Sequence, residues 1–294
     1  MNRADLPEVR FQERRAQLRA VAYRMLGSLS EADDAVQETW LRLSRSDVSE
    51  VENLSAWLTT VVTRICLDML RARSARREYP LEAHVPDPIV TPLVDGPEEQ
   101  ALLADSIGLA LLVVLDTLSP AERIAFVLHD IFAVPFDQVG SILDRSPAAA
   151  KQLASRARRR VRGSPSAGNA VDPVRQRAVA DAFDAASRDG DFESLLAVLD
   201  PDVVLRADTG DGPLGPSRLV RGAAAVAAQA QSYAGMARFA HPVLVNGTLG
   251  FVAAPDGQPL ALVSFAVRDG KITEIDILAD TERLSRLDLA GLIS

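Results

Sequence analysis

Five side chains of one predicted helix point most directly to chemistry: Lys151, Gln152, Ser155, Arg156 and Arg159. The stretch Pro147 to Arg162 (PAAAKQLASRARRRVR) carries six positive side chains and no acidic one. On a helical wheel Ala150, Leu153, Ala154, Ala157 and Val161 fall in one arc, while Lys151, Ser155, Arg158 and Arg162 line the other side. Gln152, Arg156 and Arg159 sit beside that polar row. Such a helix can pack by its apolar face and still present charge to a phosphate backbone. Phe136 to Asp144 (FDQVGSILD) reads as a short amphipathic helix, followed by Arg145 and the helix-opening pair Ser146-Pro147. Two helices joined by so short a turn make a helix-turn-helix whose second helix reads DNA. The alternative is a solvated basic helix in an ordinary bundle. The Ser-Pro start, the helix before it and the two-faced wheel favour DNA contact.

Two further helices carry exposed polar rows. Phe11 to Leu26 is helical and stops at Gly27. Ser30 is then expected to cap Glu31 to Leu43 (EADDAVQETWLRL), with Asp33 as its partner three residues on. Ala32, Val36, Leu43 and one side of Trp40 should be buried, leaving Asp34, Gln37, Glu38, Leu41 and Arg42 outside. An exposed leucine among acids is what a docking face needs. Asn53 to Arg77 (NLSAWLTTVVTRICLDMLRARSARR) should bury Leu58, Val61, Val62, Ile65, Met69 and Leu70. Thr59, Thr60, Thr63, Arg64 and Asp68 are expected outside. Arg71, Arg73, Arg76 and Arg77 put more positive charge at the helix end than a cap requires.

Composition bounds the rest. With 294 residues the chain is long enough for two or three domains, and 48% hydrophobic residues with 5% aromatics suggest mostly helical cores of Ala, Val and Leu. Net charge is −8, split as −2 over residues 1–171 and −6 over residues 172–294, so DNA affinity must come from local patches. Cys66 is the single cysteine, which rules out an intramolecular disulfide and suits a reducing cytoplasm. Its apolar helical surroundings favour a buried small hydrophobe over a redox switch. The N-terminus lacks the apolar core of a signal peptide, and the longest apolar run, Leu109 to Leu115, is too short to span a bilayer. A cytoplasmic protein is expected. Without a Cys/His cluster, phosphate loop or serine-nucleophile motif, no cofactor or metal is expected.

Residues 79–100 are acidic, and Pro80, Pro86, Pro88, Pro92 and Pro97 should block regular structure there. Helical periodicity resumes over Leu102 to Leu118 and Ala121 to Ile131, and the helix-turn-helix ends near Arg162. A second linker covers 164–173. Beyond it, Val174 to Arg188 and Phe192 to Leu199 read as helices. Val203 to Ala207, Val243 to Val245, Leu249 to Ala253, Leu260 to Arg268 and Lys271 to Leu278 read as strands, with Asp269-Gly270 a hairpin signal. Helices followed by an antiparallel sheet imply an α+β domain.

Three stretches, DDAVQETWLRL, AWLTTVVTRICLDMLRARSARR and SPAAAKQLASRARRRV, together resemble bacterial sigma factors of the extracytoplasmic-function group over residues 11 to 162. The resemblance implies a multidomain chain: a helical region 2 domain (1–78), the linker, and a helix-turn-helix region 4 domain (101–163). Residues 174–294 would add an α+β cone of the SnoaL-like, nuclear-transport-factor-2-like kind found on sigma factors of the sigma J type. It further implies docking of Asp33, Asp34, Gln37, Glu38 and Leu41 on the β′ clamp helices of core RNA polymerase. Thr60, Arg64, Asp68 and Arg71 would open and read the minus-ten element, and Lys151, Gln152, Ser155, Arg156 and Arg159 the minus-thirty-five element of promoter DNA. Short signatures of the subgroup match in altered form. A linker motif falls on His84, Val85, Pro86, Asp87 and Pro88, a closing motif on Asp280, Thr281, Glu282, Arg283 and Leu284, and a glycine-rich loop on Asp208 to Gly215. These imply regulation in cis, with His84, Pro86, Asp87, Pro88, Asp280, Glu282 and Arg283 involved and the cone a candidate site for a small ligand.

Two other readings compete. A cone of this kind hosts isomerases and cyclases, for which Asp208, His241 and Asp276 would be the acid/base candidates. A ligand-responsive regulator acting through its helix-turn-helix alone is the other, but it would need neither the acidic helix nor the threonine-and-arginine helix. The favoured reading is a promoter-specificity subunit, not an enzyme.

Overall fold

The computed structural model describes residues 7–48, 51–75, 83–93, 108–163, 173–289 and 291–292. Two compact units divide them, one containing residues up to 75 with 115–160, the other 83–93, 108–114 and 161–163 with the segments from 173 onward. No helix among the described residues is long and apolar enough to cross a membrane.

The first unit opens with α1 (Pro7–Leu26), α2 (Leu29–Arg45) and α3 (Leu54–Ala75), which pack on one another. Gly27 stops α1 at φ +69, a backbone conformation that costs glycine little. The N-cap of α2 is Ser28, whose hydroxyl accepts from the Glu31 N–H, and not the expected Ser30. With α1 ending at Gly27, the next residue already has the extended backbone a cap requires, so the helix starts two residues earlier. Ala32, Val36 and Leu43 are buried as expected, and Phe11 lies 5.0 Å from Trp40 between ring centroids. Along α3, Leu58, Val62, Ile65 and Leu70 are buried, while Val61 and Met69 are only half-buried. Thr63, expected outside, is fully buried. The cause is that α3 is covered from several sides, by α1, α2 and the helix that starts at Pro120, so its buried arc is wider than one stripe. Burial pushes the Cys66 thiol up to about 12, which leaves it an inert apolar filler.

Then come α4 (Leu109–Asp116), the described part of the helix expected from Leu102, which falls in the second unit up to Val114, and α5 (Pro120–Phe126) in the first. A capping box between Ser119 and Glu122 opens α5, which runs on into a π-helical turn, Val127–Ile131. The helix-turn-helix follows as α6 (Phe136–Leu143) and α7 (Pro147–Gly163). Its turn is made by Asp144 at φ 54 and by the Arg145 N–H donating 2.8 Å to the Gly140 carbonyl. A Cβ at Gly140 would lie 2.8 Å from the Arg145 carbonyl oxygen, so only glycine lets the turn pass this close.

The second unit has α8 (Pro173–Asp189), α9 (Phe192–Val198), β2 (Leu199–Asp208), β3 (Arg218–Arg221), α10 (Ala223–Ser232) and α11 (Ala234–Ala237). It continues with β4 (Ala240–Val245), β5 (Thr248–Ala253), β6 (Ala261–Arg268), β7 (Lys271–Leu278) and α12 (Thr281–Ser285). With β1 (Val90–Pro92) at one edge, the sheet among the described residues runs β1-β4-β5-β6-β7-β2-β3, antiparallel except where β2 meets β7. One face of it closes over α8, α9 and α10 around Phe183, Leu195, Leu205, Phe251, Phe265 and Ile275, the α+β cone expected. Residues of β2 alternate, so Leu205 and Ala207 face that core while Arg206 and Asp208 face away.

The strand β1 is Val90–Pro92, inside the segment where prolines were expected to block regular structure. It pairs with β4 in the register Val90↔Val245, Thr91↔Leu244 and Pro92↔Val243. An edge strand tolerates proline because the missing N–H faces no partner. Asn246, at φ 49 in the turn between β4 and β5, fastens its start: the Ile89 N–H donates to Asn246 Oδ1 at 2.9 Å, and the Asn246 N–H to the Ile89 carbonyl at 2.7 Å.

Candidate nucleic-acid interface

On α7, Ala150, Ala154 and Ala157 are fully buried and anchor the helix. Lys151, Gln152, Ser155, Arg156 and Arg159 are all exposed, on the side the wheel assigned them. Two of the remaining arginines have other work. Arg158 pairs with Asp130, and Arg160 Nη1 lies 2.9 Å from Glu122 Oε2. Glu122 is desolvated, but the Ser119 hydroxyl and N–H and then Arg160 outweigh that and hold its carboxyl below the usual range. Two arginines thus tie α7 to its own unit. The side chains of Lys151, Gln152, Ser155 and Arg159 make no hydrogen bond or ion pair with any described residue.

On α3, Thr60 is half-buried and its hydroxyl donates 2.9 Å to the Ala56 carbonyl. Arg64 is exposed and its Nη2 reaches the Ser141 carbonyl of α6 at 3.3 Å. Asp68 and Arg71 are exposed, 3.8 Å apart. Arg73 is instead structural: its guanidinium pairs with Glu31 and donates 3.0 Å to the Leu26 carbonyl at the end of α1. Arg76 and Arg77 lie outside the described residues. On α2, Asp33, Asp34, Gln37 and Leu41 are exposed and Glu38 is half-buried. Asp33 accepts from Arg19 Nε at 2.7 Å and Glu38 from Arg42 Nε at 3.0 Å, which leaves Asp34, Gln37 and Leu41 as the less engaged part of that face.

The second unit gathers most of the residues singled out in the linker and the closing motif. Arg283 of α12 donates from Nε to Asp87 Oδ1 at 2.8 Å, from Nη1 to Asp208 Oδ2 at 2.7 Å, and from Nη2 to the Val85 carbonyl. Asp208 also accepts from the Val85 N–H at 3.0 Å, and its Oδ2 lies 3.0 Å from His84 Nδ1. Although Asp208 is desolvated, its bonds to His84 and Val85 and the Arg283 charge hold its carboxyl below the ordinary range. Pro86 and Pro88 are buried beside this network. Asp280 caps α12 by accepting from the Arg283 N–H at 3.0 Å, which aims Arg283 at the linker. Glu282 stands apart, exposed and paired with Arg286. Reasoning from the sequence alone did not find Asn246 or the Val85 backbone as linker fasteners, although Asn246-Gly247 is itself a hairpin signal.

Asp208, His241 and Asp276 do not converge. Asp276 is buried against Arg206, 3.1 Å away, with Glu274 on the same guanidinium; desolvation pushes its carboxyl up to about 6. Neither it, Asp208 nor His241 lines the cavity inside the cone.

A region 2 helical domain followed by a region 4 helix-turn-helix defines a sigma factor, and the chain belongs to the extracytoplasmic-function sigma factors of RNA polymerase. Residues 11–76 match Sigma-70 region 2, and residues 108–161 match Sigma-70 region 4. The chain is similar to the ECF RNA polymerase sigma factor SigJ of Mycobacterium tuberculosis, with 37% identity covering 94% of this chain and 92% of SigJ. It is 34% identical to a probable ECF RNA polymerase sigma factor, SigI, of the same organism, over 99% of this chain and all of SigI. The crystal structure of M. tuberculosis SigJ superposes with a TM-score of 0.74 at 35% identity, over 95% of this chain and 99% of that one, so the likeness extends through the cone.

Proposed function

We propose that the chain delivers both halves of promoter recognition to core RNA polymerase, is regulated in cis by its cone, and performs no catalysis of its own. Its working parts are residues 1–78, a linker over 79–100, residues 101–163, a second linker over 164–173, and the cone over 174–294. Asp33, Asp34, Gln37, Glu38 and Leu41 dock on the β′ clamp helices. Thr60, Arg64, Asp68 and Arg71 take the minus-ten element, and Lys151, Gln152, Ser155, Arg156 and Arg159 take the minus-thirty-five element. The observation that carries this reading is α7. Its arginines divide between two that fold the unit, Arg158 and Arg160, and an exposed row whose charges hold no ion pair within it.

The cone acts through the linker. Arg283, Asp87, Asp208 and His84, with Asp280 positioning Arg283 and Pro86 and Pro88 packed beside them, hold the chain between the two promoter-reading regions, and releasing it raises activity. Glu282 contributes at the rim.

Transcription from a cognate promoter with purified core polymerase tests the reading. Arg156→Ala should cost about 1–3 kcal/mol on the specific site and relax preference at one base, whereas Arg159→Ala should weaken all sequences alike. Arg64→Ala with Asp68→Ala should spare closed-complex binding and reduce strand opening. Asp34→Arg with Glu38→Arg should abolish co-purification with core polymerase. A chain that gives no promoter-dependent transcript with core polymerase would remove the proposal.

A further inference from the structure

Inside the cone lies a cavity of about 130 Å³ whose larger lining groups are Leu205, Tyr233, Met236, Phe251, Phe265 and Ile275. Apolar cavities of about 150 Å³ stay dry and take up benzene. Six polar side chains stand on the wall. Four have partners: Asp184 is paired with Arg188, the Thr209 hydroxyl donates 2.6 Å to the Gly215 carbonyl, and Arg218 Nη2 lies 2.9 Å from the Tyr233 hydroxyl. Gln229 is half-buried. Ser187 is 7% exposed, and its Oγ is buried without a hydrogen-bond partner among the described residues. A buried hydroxyl in that state is rare in folded proteins, and a bound group that donates to it or accepts from it removes the defect. One helical turn earlier on α8, burial raises the Asp184 carboxyl above its ordinary range, so this end of the wall is poorly hydrated and unwelcoming to an anion.

We propose that the cone cavity is a binding site for an uncharged apolar molecule of about one aromatic ring that carries a single hydroxyl or carbonyl group, recognised by Ser187 Oγ. The site is independent of the promoter reading, because binding is measured on the full chain without polymerase or DNA. It also sits close to the linker: Ala207 in the wall is followed directly by Asp208, which holds His84 and Val85.

Calorimetric or ligand-observed NMR titration of the full-length protein with phenol, toluene and benzoate tests the proposal. Phenol should bind about threefold to tenfold more tightly than toluene, the worth of one neutral hydrogen bond, with benzoate weaker than both. Ser187→Ala should keep toluene binding and erase the preference for phenol. Ala230→Phe, which fills the cavity from α10, should abolish binding of both. No binding of phenol or toluene at millimolar concentration overturns the proposal. So does a phenol preference that survives Ser187→Ala, tightest binding of benzoate, or binding that persists in Ala230→Phe.

Discussion

The basic row of α7 and the cluster around Arg283 are both built from charged side chains, yet they are opposite kinds of site. Lys151 and Arg159 stand in water with no partner among the described residues, so their charge is available to an incoming phosphate and is screened by salt. Arg283 is 18% exposed and already holds Asp87, Asp208 and the Val85 carbonyl, so its charge is committed within the chain. Exposure and prior partners, more than residue type, separate a surface that recruits another molecule from one that fixes its own linker. Four measurements sharpen or break this contrast.

The largest effect is on binding of the full-length chain to duplex DNA. If α7 places about four cations on phosphates, affinity should fall about a hundredfold between 50 and 200 mM salt. Lys151→Gln with Arg159→Gln should flatten the log–log slope by about 2. A slope unchanged in the double variant would show that these side chains do not meet phosphate. The docked linker, by contrast, should resist proteolysis equally at both salt concentrations.

Next, Arg283→Ala strands the Asp208 carboxylate. The loss in stability of the cone, read by chemical denaturation, should be on the order of 2–3 kcal/mol, less than the ~3–5 of a fully buried pair because Arg283 keeps some solvent. Cleavage within residues 83–93 should speed up in parallel. A variant with wild-type stability and wild-type cleavage would make the cluster incidental.

Two carboxylates on neighbouring strands then separate by pH. The Asp276 carboxyl is raised to about 6, so it binds a proton more readily folded than unfolded, and its contribution declines as pH rises from about 4 to about 6. Asp208 is lowered, so its contribution is present above its unfolded value near pH 4 and is lost as pH falls through the folded value. Asp276→Asn should flatten the first limb, by about 1–2 kcal/mol, and Asp208→Asn the second. Unchanged profiles of stability against pH in both variants would contradict these environments.

The smallest effect belongs to Arg19→Ala. Its pair with Asp33 is nearly half exposed on both sides, so about 0.2–1 kcal/mol is expected in thermal unfolding of the full chain. A larger loss would mean that the acidic face of α2 is held more rigidly than its exposure implies.

The helices were legible because an amphipathic period is a local signal. Pro147 to Arg162 showed its buried alanines and exposed cations, and Ser146-Pro147 its start, without reference to the rest of the chain. Elements that depend on distant partners were not legible. Val90–Pro92 becomes a strand only because Asn246 and β4 present an edge more than 150 residues away in sequence. Arg218–Arg221 is short and half-polar, and the alanine-rich Ala223–Ser232 shows no clear apolar stripe, so neither was read. At the sites, exposure of the α7 row could be inferred from the wheel. That Arg73, Arg158 and Arg160 belong to folding could not, because Leu26, Glu31, Asp130 and Glu122 reach them only through tertiary packing.

The contact of α3 with α5 and α6, which includes the bond from Arg64 to Ser141, sets a limit on reach. Promoter elements centred near minus ten and minus thirty-five lie about 25 base pairs apart, or about 85 Å along the duplex at 3.4 Å per step. A compact body of about 120 residues has a radius of gyration of only about 14 Å. If α3 takes one element and α7 the other, as proposed, a unit closed in this way cannot reach both. Engaging both would then require α6 and α7 to swing away from α3, which breaks the bond from Arg64 to the Ser141 carbonyl.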